Sequence, residues 1–130
     1  MDIAQKVFEL NKTYEIDTYE ERIRRLEELW EGIPAPRHQV QNSYLIISKV
    51  VAIHLANGQK DKAWEWCQHA LAYSGSFNLG GESEFLVAKV AFERGDIETA
   101  RRYFKIVRKT SGKRLFQNQR SEYYSITEQS

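Results

Sequence analysis

Apolar residues recur every three or four positions through much of the chain, which is the spacing of one helical face. Over residues 2–14 this face consists of Ile3, Val7, Leu10 and Tyr14. Over residues 19–31 it consists of Ile23, Leu26, Leu29 and Trp30. The pattern predicts two helices that pair as a first hairpin over residues 2–31.

The second of these helices carries sequence signals at both ends. Thr18 followed by Glu21 predicts a capping box, in which the Thr18 hydroxyl accepts from a backbone N–H and Glu21 reaches back to the cap. Gly32 predicts a left-handed C-terminal cap, and Pro34 prevents the helix from continuing. The first hairpin is therefore expected to end near residue 31.

Two more hairpins are predicted, over residues 38–73 and 82–110. The first begins with a long helix from about His38 to Asn57, and its wide apolar face implies burial on two sides. Gly58 turns the chain into a return helix over 60–73, and the glycine-rich segment 74–81 predicts a loop. In the last hairpin, Gly95-Asp96 joins helices over 82–94 and 97–110.

A C-terminal cap is expected over residues 113–128, because an uncovered end of a helical stack would leave apolar surface in water. Its covering side chains are predicted to be Leu115, Phe116, Tyr123, Tyr124 and Ile126. The expected fold is all-α, with stacked antiparallel helical hairpins that form one domain over residues 1–130.

An internal repeat supports this architecture. When Gly58 is placed on Gly95, 37 residues further on, small residues coincide at Ala63 and Ala100. The segment AFERGDIETARRYFKIV at 91–107 strongly resembles the second half of a tetratricopeptide repeat, and LANGQKDKAWEWCQHAL at 55–71 resembles it moderately. The resemblance covers residues 38–110 well and 1–36 only by the hairpin pattern. It implies a right-handed superhelix of about six helices plus the short cap.

The resemblance also implies where a partner binds. The first helix of each repeat lines the concave side, so the implied partner-binding residues are Leu45, Ser48, Ala52, Leu55, Phe85, Lys89, Phe92 and Glu93. Trp66 is a further candidate, since it projects about 200° away from Trp64 on a helix and the two cannot share one core. The alternative is that neighbouring helices cover both indoles.

A narrower likeness links LEELWEGIPAP, GQKDKAWEW, the 84–104 segment, SGKRLF and a tyrosine-bearing tail. This succession looks like a group of small bacterial tetratricopeptide-like proteins, several of which are immunity proteins for polymorphic or contact-dependent toxins. That likeness implies a cytoplasmic protein that binds and neutralises a cognate toxin domain. A generic adaptor of the same fold is the broader alternative.

Composition narrows the remaining function classes. The formal charge of +1 gives no global field, the single Cys67 excludes an internal disulfide, and the start lacks the apolar region of a secretory signal. No stretch reaches the roughly 20 apolar residues of a membrane span. A reducing cytoplasm and no membrane association are the expectations.

The strongest charge signal lies near the C-terminus, where eight basic and no acidic residues occur between Thr99 and Ser121. The predicted basic surface consists of Arg101, Lys105, Arg108, Lys109 and Arg114. It suits RNA, DNA or an acidic protein. The alternative is a solvated helix face whose cations favour the helix C-terminus.

Catalytic chemistry has little support in the sequence. There is no metal-ligand motif and no phosphate-binding loop, and Cys67 and His69 point to different sides of a helix. His54 falls on a predicted inner helix, where a satisfied core histidine is several times more common than a catalytic base. We therefore predict a non-enzyme without metal or cofactor.

Overall fold

The computed structural model describes residues 2–12, 18–74 and 80–129, and this part of the chain is all-helical without a strand. It contains seven α-helices, namely α1 (Ile3–Asn11), α2 (Tyr19–Glu31), α3 (Tyr44–Ala56), α4 (Lys60–Cys67), α5 (Glu82–Glu93), α6 (Ile97–Ser111) and α7 (Ser121–Ser125). Short 3-10 helices occupy Arg37–Gln39, Gln68–Tyr73, Arg114–Phe116 and Ile126–Glu128. The predicted all-α class is confirmed.

The chain divides into two compact units, residues 1–66 and 67–130. The division falls inside the predicted hairpin 38–73. This division does not test the predicted single domain or the predicted superhelix, and both stay predictions.

In the first unit α1, α2 and α3 all pack against one another. The predicted faces are buried at Ile3, Val7, Ile23, Leu26 and Trp30. Tyr14, predicted to belong to the first of these faces, lies outside the described residues. The core of this unit therefore follows from the three- and four-residue spacing.

The start of α3 differs from the prediction, because the helix begins at Tyr44 and not near His38. After Pro36 the chain forms a 3-10 turn, and Asn42 takes the left-handed conformation with φ of 67°. The Ser43 hydroxyl donates to the Arg37 carbonyl over 2.8 Å and stabilises this reversal. Local side-chain bonding of this kind competes with helix formation, which periodicity cannot register.

The predicted caps are partly confirmed. The Thr18 hydroxyl accepts from the Glu21 N–H over 3.1 Å, but the Glu21 carboxylate binds Arg24 and Arg25 and does not close the box. Gly32 has φ of −76°, so the predicted left-handed cap is wrong. Gly95, with φ of 84°, provides the tight turn expected after α5.

The predicted return helix over 60–73 is α-helical only to Cys67 and continues as a 3-10 helix. The 3-10 part packs against α5 and belongs to the second unit. Ala63, Cys67 and Ala70 are nevertheless fully buried, as predicted. Burial raises the pKa of the Cys67 thiol to about 12, which leaves it a packed side chain and not a nucleophile. The predicted loop 74–81 lies largely outside the described residues.

The second unit centres on the α5–α6 hairpin, which confirms the predicted pairing over 82–110. Phe85 and Phe104 meet edge to face, with ring centroids 5.3 Å apart. Phe116 packs on both rings, and Tyr123 stacks on Phe104 at 4.8 Å. Of the five predicted covering side chains, Phe116, Tyr123 and Ile126 are buried, whereas Leu115 and Tyr124 are partly exposed.

Replacement of Phe104 by alanine tests this aromatic cluster. Phe104→Ala leaves a cavity among rings that cannot close completely, so we expect it to reduce the free energy of unfolding by about 3–5 kcal/mol. Ile106→Ala, two residues away on an exposed part of α6, should change it by about 0.5 kcal/mol or less. Urea denaturation followed by helical circular dichroism measures both, and equal effects would contradict the assigned core.

Candidate functional site

The largest exposed apolar side chains in the described part of the chain are Phe8, Leu45 and Ile106, which are 56%, 39% and 42% exposed. Two of these three, Phe8 and Leu45, line one groove between α1 and α3. We call it the α1/α3 groove, and its volume is about 450 Å³. Apolar contributions to it come from Ala4, Val7, Phe8, Leu45 and Ala52.

Helical spacing places these residues together. Ala4 and Phe8 are four apart on α1, while Leu45, Ser48 and Ala52 are three and four apart on α3. The Ser48 hydroxyl donates to the Leu45 carbonyl over 3.1 Å, so its polarity is satisfied within the helix. The small side chains of Ala4 and Ala52 leave open space beside the two large ones.

The charge at the edge of the α1/α3 groove is positive. Lys49 lines it, and the Lys12 ammonium lies 4.9 Å from the centre of the Phe8 ring. No carboxylate lines it in the part of the chain that the structure describes. The groove thus combines an apolar floor with cationic edges, which suits an apolar segment with acidic flanks.

Three of the predicted partner-binding residues, Leu45, Ser48 and Ala52, meet in this groove. Leu55 is partly exposed on the same helix but does not line it. Sequence reasoning missed Phe8, whose signal was a large aromatic residue beside the buried stripe of α1. Its position next to Val7 places it off the core face.

The predicted partner-binding residues of the second unit mostly contact the chain's own C-terminal segment. Phe85, predicted as a groove residue, is only 6% exposed and belongs to the core. Phe92 packs edge to face on Tyr123, and Glu93 accepts hydrogen bonds from Arg120 and Tyr123. Lys89 is partly buried beside the Phe85 ring, and burial lowers the pKa of its ammonium group.

The predicted basic surface is likewise divided. Arg101 donates to the Ile126 carbonyl and to Gln129, and Arg108 donates to the Thr127 hydroxyl. Arg114 pairs with Glu82 over 3.4 Å. These three arginines therefore bind the chain itself, whereas Lys105 and Lys109 are exposed.

Arg102 joins the two lysines on the exposed face of α6, since residues 102, 105 and 109 follow the three- and four-residue spacing of one helical face. We call these three residues the α6 basic stripe. It is narrower than the predicted basic surface, because Arg101 and Arg108 reach towards the C-terminal segment.

His54 and Trp66 line a second pocket of the first unit. His54 is 3% exposed, and its Nδ1 lies 2.8 Å from the Tyr19 hydroxyl. Burial of the ring and the nearby Lys62 ammonium hold the pKa of His54 below its usual value. Trp66 packs edge to face on Trp30 and remains partly exposed, so the predicted interface indole has one side in a core contact.

Comparisons of the chain with family models, with curated proteins and with solved structures found no match. The tetratricopeptide and immunity-protein resemblances therefore rest on the residues quoted above.

Residues 2–12, 18–74 and 80–129 contain no group of three histidine, cysteine or carboxylate side chains that could hold a metal ion. None of their helices has the length and apolar content needed to cross a bilayer.

The environment of His54 predicts its titration. Its NMR resonances should titrate with a midpoint below about 6.5, the usual value for histidine. Lys62→Gln should raise the midpoint without restoring the usual value, since burial is the larger cause. Lys60→Gln, on the same helix but outside the pocket, is the matched control.

The sign of this shift also fixes a stability effect. A lowered pKa in the folded state means that the unfolded chain takes up the proton first as the pH falls. The contribution of His54 to stability should therefore decline as the pH drops below about 6.5. A midpoint at or above the usual value would contradict the buried placement of the ring.

Proposed function

We propose that this chain is a protein-binding module whose α1/α3 groove receives an apolar segment of another protein. The observation that carries the proposal is the meeting of Phe8 and Leu45, both substantially exposed, in a single groove. Lys12 and Lys49 at its edge favour acidic residues on either side of the partner's apolar anchors.

The energetics support a small number of anchors. Full burial of one large apolar side chain contributes about 1.5–3 kcal/mol relative to exposure, so Phe8 and Leu45 together supply a substantial part of a specific interface. Binding energy in such interfaces is concentrated in a few side chains that lose their water. Phe8 is the aromatic side chain of this groove and its expected principal contact.

A narrower version of the proposal makes the chain a bacterial immunity protein that neutralises a cognate toxin domain in the cytoplasm. Its support is the resemblance of the GQKDKAWEW and 84–104 segments to proteins of that kind. The exposed apolar groove is compatible with tight capture of one partner. The gene adjacent to this one is the source of the toxin domain to test.

The groove proposal predicts which variants lose the partner. The toxin domain encoded beside this gene should co-purify with the wild-type chain, and the chain should rescue cells that express that domain. Phe8→Ala and Leu45→Ala should each weaken binding by about 1–2 kcal/mol, roughly 5- to 30-fold, because each removes an apolar anchor. Calorimetric titration of the purified pair measures this.

Ile106→Ala is the matched control for these variants, because it removes a similarly exposed apolar side chain from the second unit. The affinity of this variant for the toxin domain should equal that of the wild type. A toxin domain that binds all variants equally would contradict the groove, and absence of both binding and rescue would contradict the immunity proposal.

Nucleic-acid binding is a second candidate, and the α6 basic stripe is the observation that favours it. Neither Lys105 nor Lys109 forms an ion pair within the described ranges, and both side chains are exposed. Three cations are few for a nucleic-acid interface. The electrostatic attraction of so small a set is weak and easily screened by salt.

This second candidate predicts a shallow salt dependence. If single-stranded RNA binds the stripe, the logarithm of the association constant should fall against the logarithm of salt with a slope of about −2. A double variant with Lys105→Gln and Lys109→Gln should lose most of the affinity for RNA. A control double variant with Lys6→Gln and Lys60→Gln should keep that affinity. Absence of any mobility shift at low salt would remove this candidate.

A further inference from the structure

A second pocket in the first unit is lined by three elements and has a volume of about 370 Å³. We call it the His54 pocket. Its aromatic walls are Tyr19, His54 and Trp66, and its carboxylates are Glu20, Glu27 and Glu65. This pocket is independent of the α1/α3 groove, because the two share no lining residue.

The carboxylates of α2 fall into two groups. Glu21 and Glu28 pair with Arg24, and Glu31 pairs with Arg37. Glu20 and Glu27, seven residues apart on the side of α2 that lines the pocket, form no ion pair or hydrogen bond within the described part of the chain. The side of α2 at the pocket thus carries negative charge that no described residue neutralises in an ion pair.

Glu65 adds a third such carboxylate from α4, against one ammonium group from Lys62. The lining therefore carries an excess of negative charge. Glu20, Glu27 and Glu65 are exposed residues, so each attracts an occupant in the presence of water and contributes modestly. Electrostatics in this pocket favour a cation.

The buried imidazole of His54 is a second observation that points to an occupant. Its Nδ1 is engaged by the Tyr19 hydroxyl, whereas Nε2 has no partner in residues 2–12, 18–74 and 80–129. Since the ring is almost wholly buried yet lines the pocket, Nε2 is the polar edge left for a bound group. Nε2 is not one of the buried side-chain atoms that lack a partner, so it is accessible from the pocket, and an occupant can take the place of water there.

We propose that the His54 pocket binds an alkyl guanidinium group, either of a free small molecule or of an arginine side chain. A guanidinium is planar, presents several donors to carboxylates in a fixed geometry and stacks on aromatic faces. The rings of Tyr19 and Trp66 and the carboxylates of Glu27 and Glu65 meet each of these properties. A compact ammonium group uses the carboxylates but stacks less well on the rings.

Lys62 gives the proposal a signed test. Its ammonium group repels a cationic occupant, while the carboxylates attract one. Loss of the lysine charge is therefore expected to strengthen binding, and loss of a carboxylate charge to weaken it. If these residues had only a structural role, their replacement would not change the affinity in opposite directions.

The experiment titrates the full chain with blocked arginine, N-acetyl-arginine methylamide, and follows the indole N–H resonance of Trp66. We expect saturable binding at millimolar concentration. The uncharged isostere N-acetyl-citrulline methylamide should not bind, and N-acetyl-lysine methylamide should bind more weakly than the arginine probe. Absence of a shift with the arginine probe, or equal shifts with citrulline, would overturn the proposal.

Variants then test the assignment of charges. Glu27→Gln and Glu65→Gln should each weaken binding by about 2- to 5-fold, and Lys62→Gln should strengthen it by a similar factor. Glu28→Gln removes the same charge one residue away but pairs with Arg24 outside the pocket, so it is the matched control. An equal loss of affinity in Glu28→Gln would show that binding depends only on the overall negative charge of this surface, and it would overturn the site.

Two further probes distinguish the sources of the guanidinium. Butylguanidine represents a free small molecule, and a tripeptide with blocked ends, whose central arginine carries its only charge, represents a protein side chain. Equal affinities would assign the pocket to the guanidinium group alone, and tighter binding of the peptide would assign it to a protein partner. Because none of these probes uses the α1/α3 groove, failure here leaves the proposed protein-binding function standing.

Discussion

Each helix in the described part of this chain is short, so each is stable in water only because another element covers its apolar face. The longest, α6, has 15 residues, and α1 has nine. The two units meet this constraint differently. In the second, the C-terminal segment covers the α5–α6 hairpin with Phe116, Tyr123 and Ile126. In the first, α1 and α3 leave Phe8 and Leu45 in water.

This difference explains why a surface inferred from repeat geometry is open in one unit and closed in the other. Phe92 and Glu93, which the resemblance assigned to a concave face, contact Tyr123 and Arg120, so the chain supplies its own occupant there. No described residue occupies the α1/α3 groove in this way. Exposed apolar surface that gathers in one place is typical of binding sites in soluble proteins.

The elements and cores could be predicted from the sequence because they depend on local spacing. The faces of Ile3 with Val7 and of Ile23 with Leu26 are buried as the periodicity requires. The late start of α3 could not be predicted, since it depends on the hydrogen bond between Ser43 and the Arg37 carbonyl and on the left-handed Asn42. A helical propensity pattern does not register such a bond.

The candidate sites were less predictable than the fold, because a count of charges does not show what those charges contact. Arg101 and Arg108 belong to the basic surface predicted from the sequence, yet the Ile126 carbonyl and the Thr127 hydroxyl accept their hydrogen bonds. Conversely, the carboxylates of α2 are equivalent charges in the sequence. Only the structure separates Glu21 and Glu28, which bind Arg24, from Glu20 and Glu27, which line a pocket.

The position of α3 relates the two sites of the first unit. Ala52 lines the α1/α3 groove and His54 lines the other pocket, and residues two apart on a helix project about 200° from each other. The groove and the pocket therefore lie on different faces of α3, with opposite charges at their edges. A single straight segment bound in the groove does not reach the pocket, so loss of one interaction leaves the geometry of the other intact. Only a partner that extends around α3 engages both, with acidic residues towards Lys49 and a cation towards Glu27.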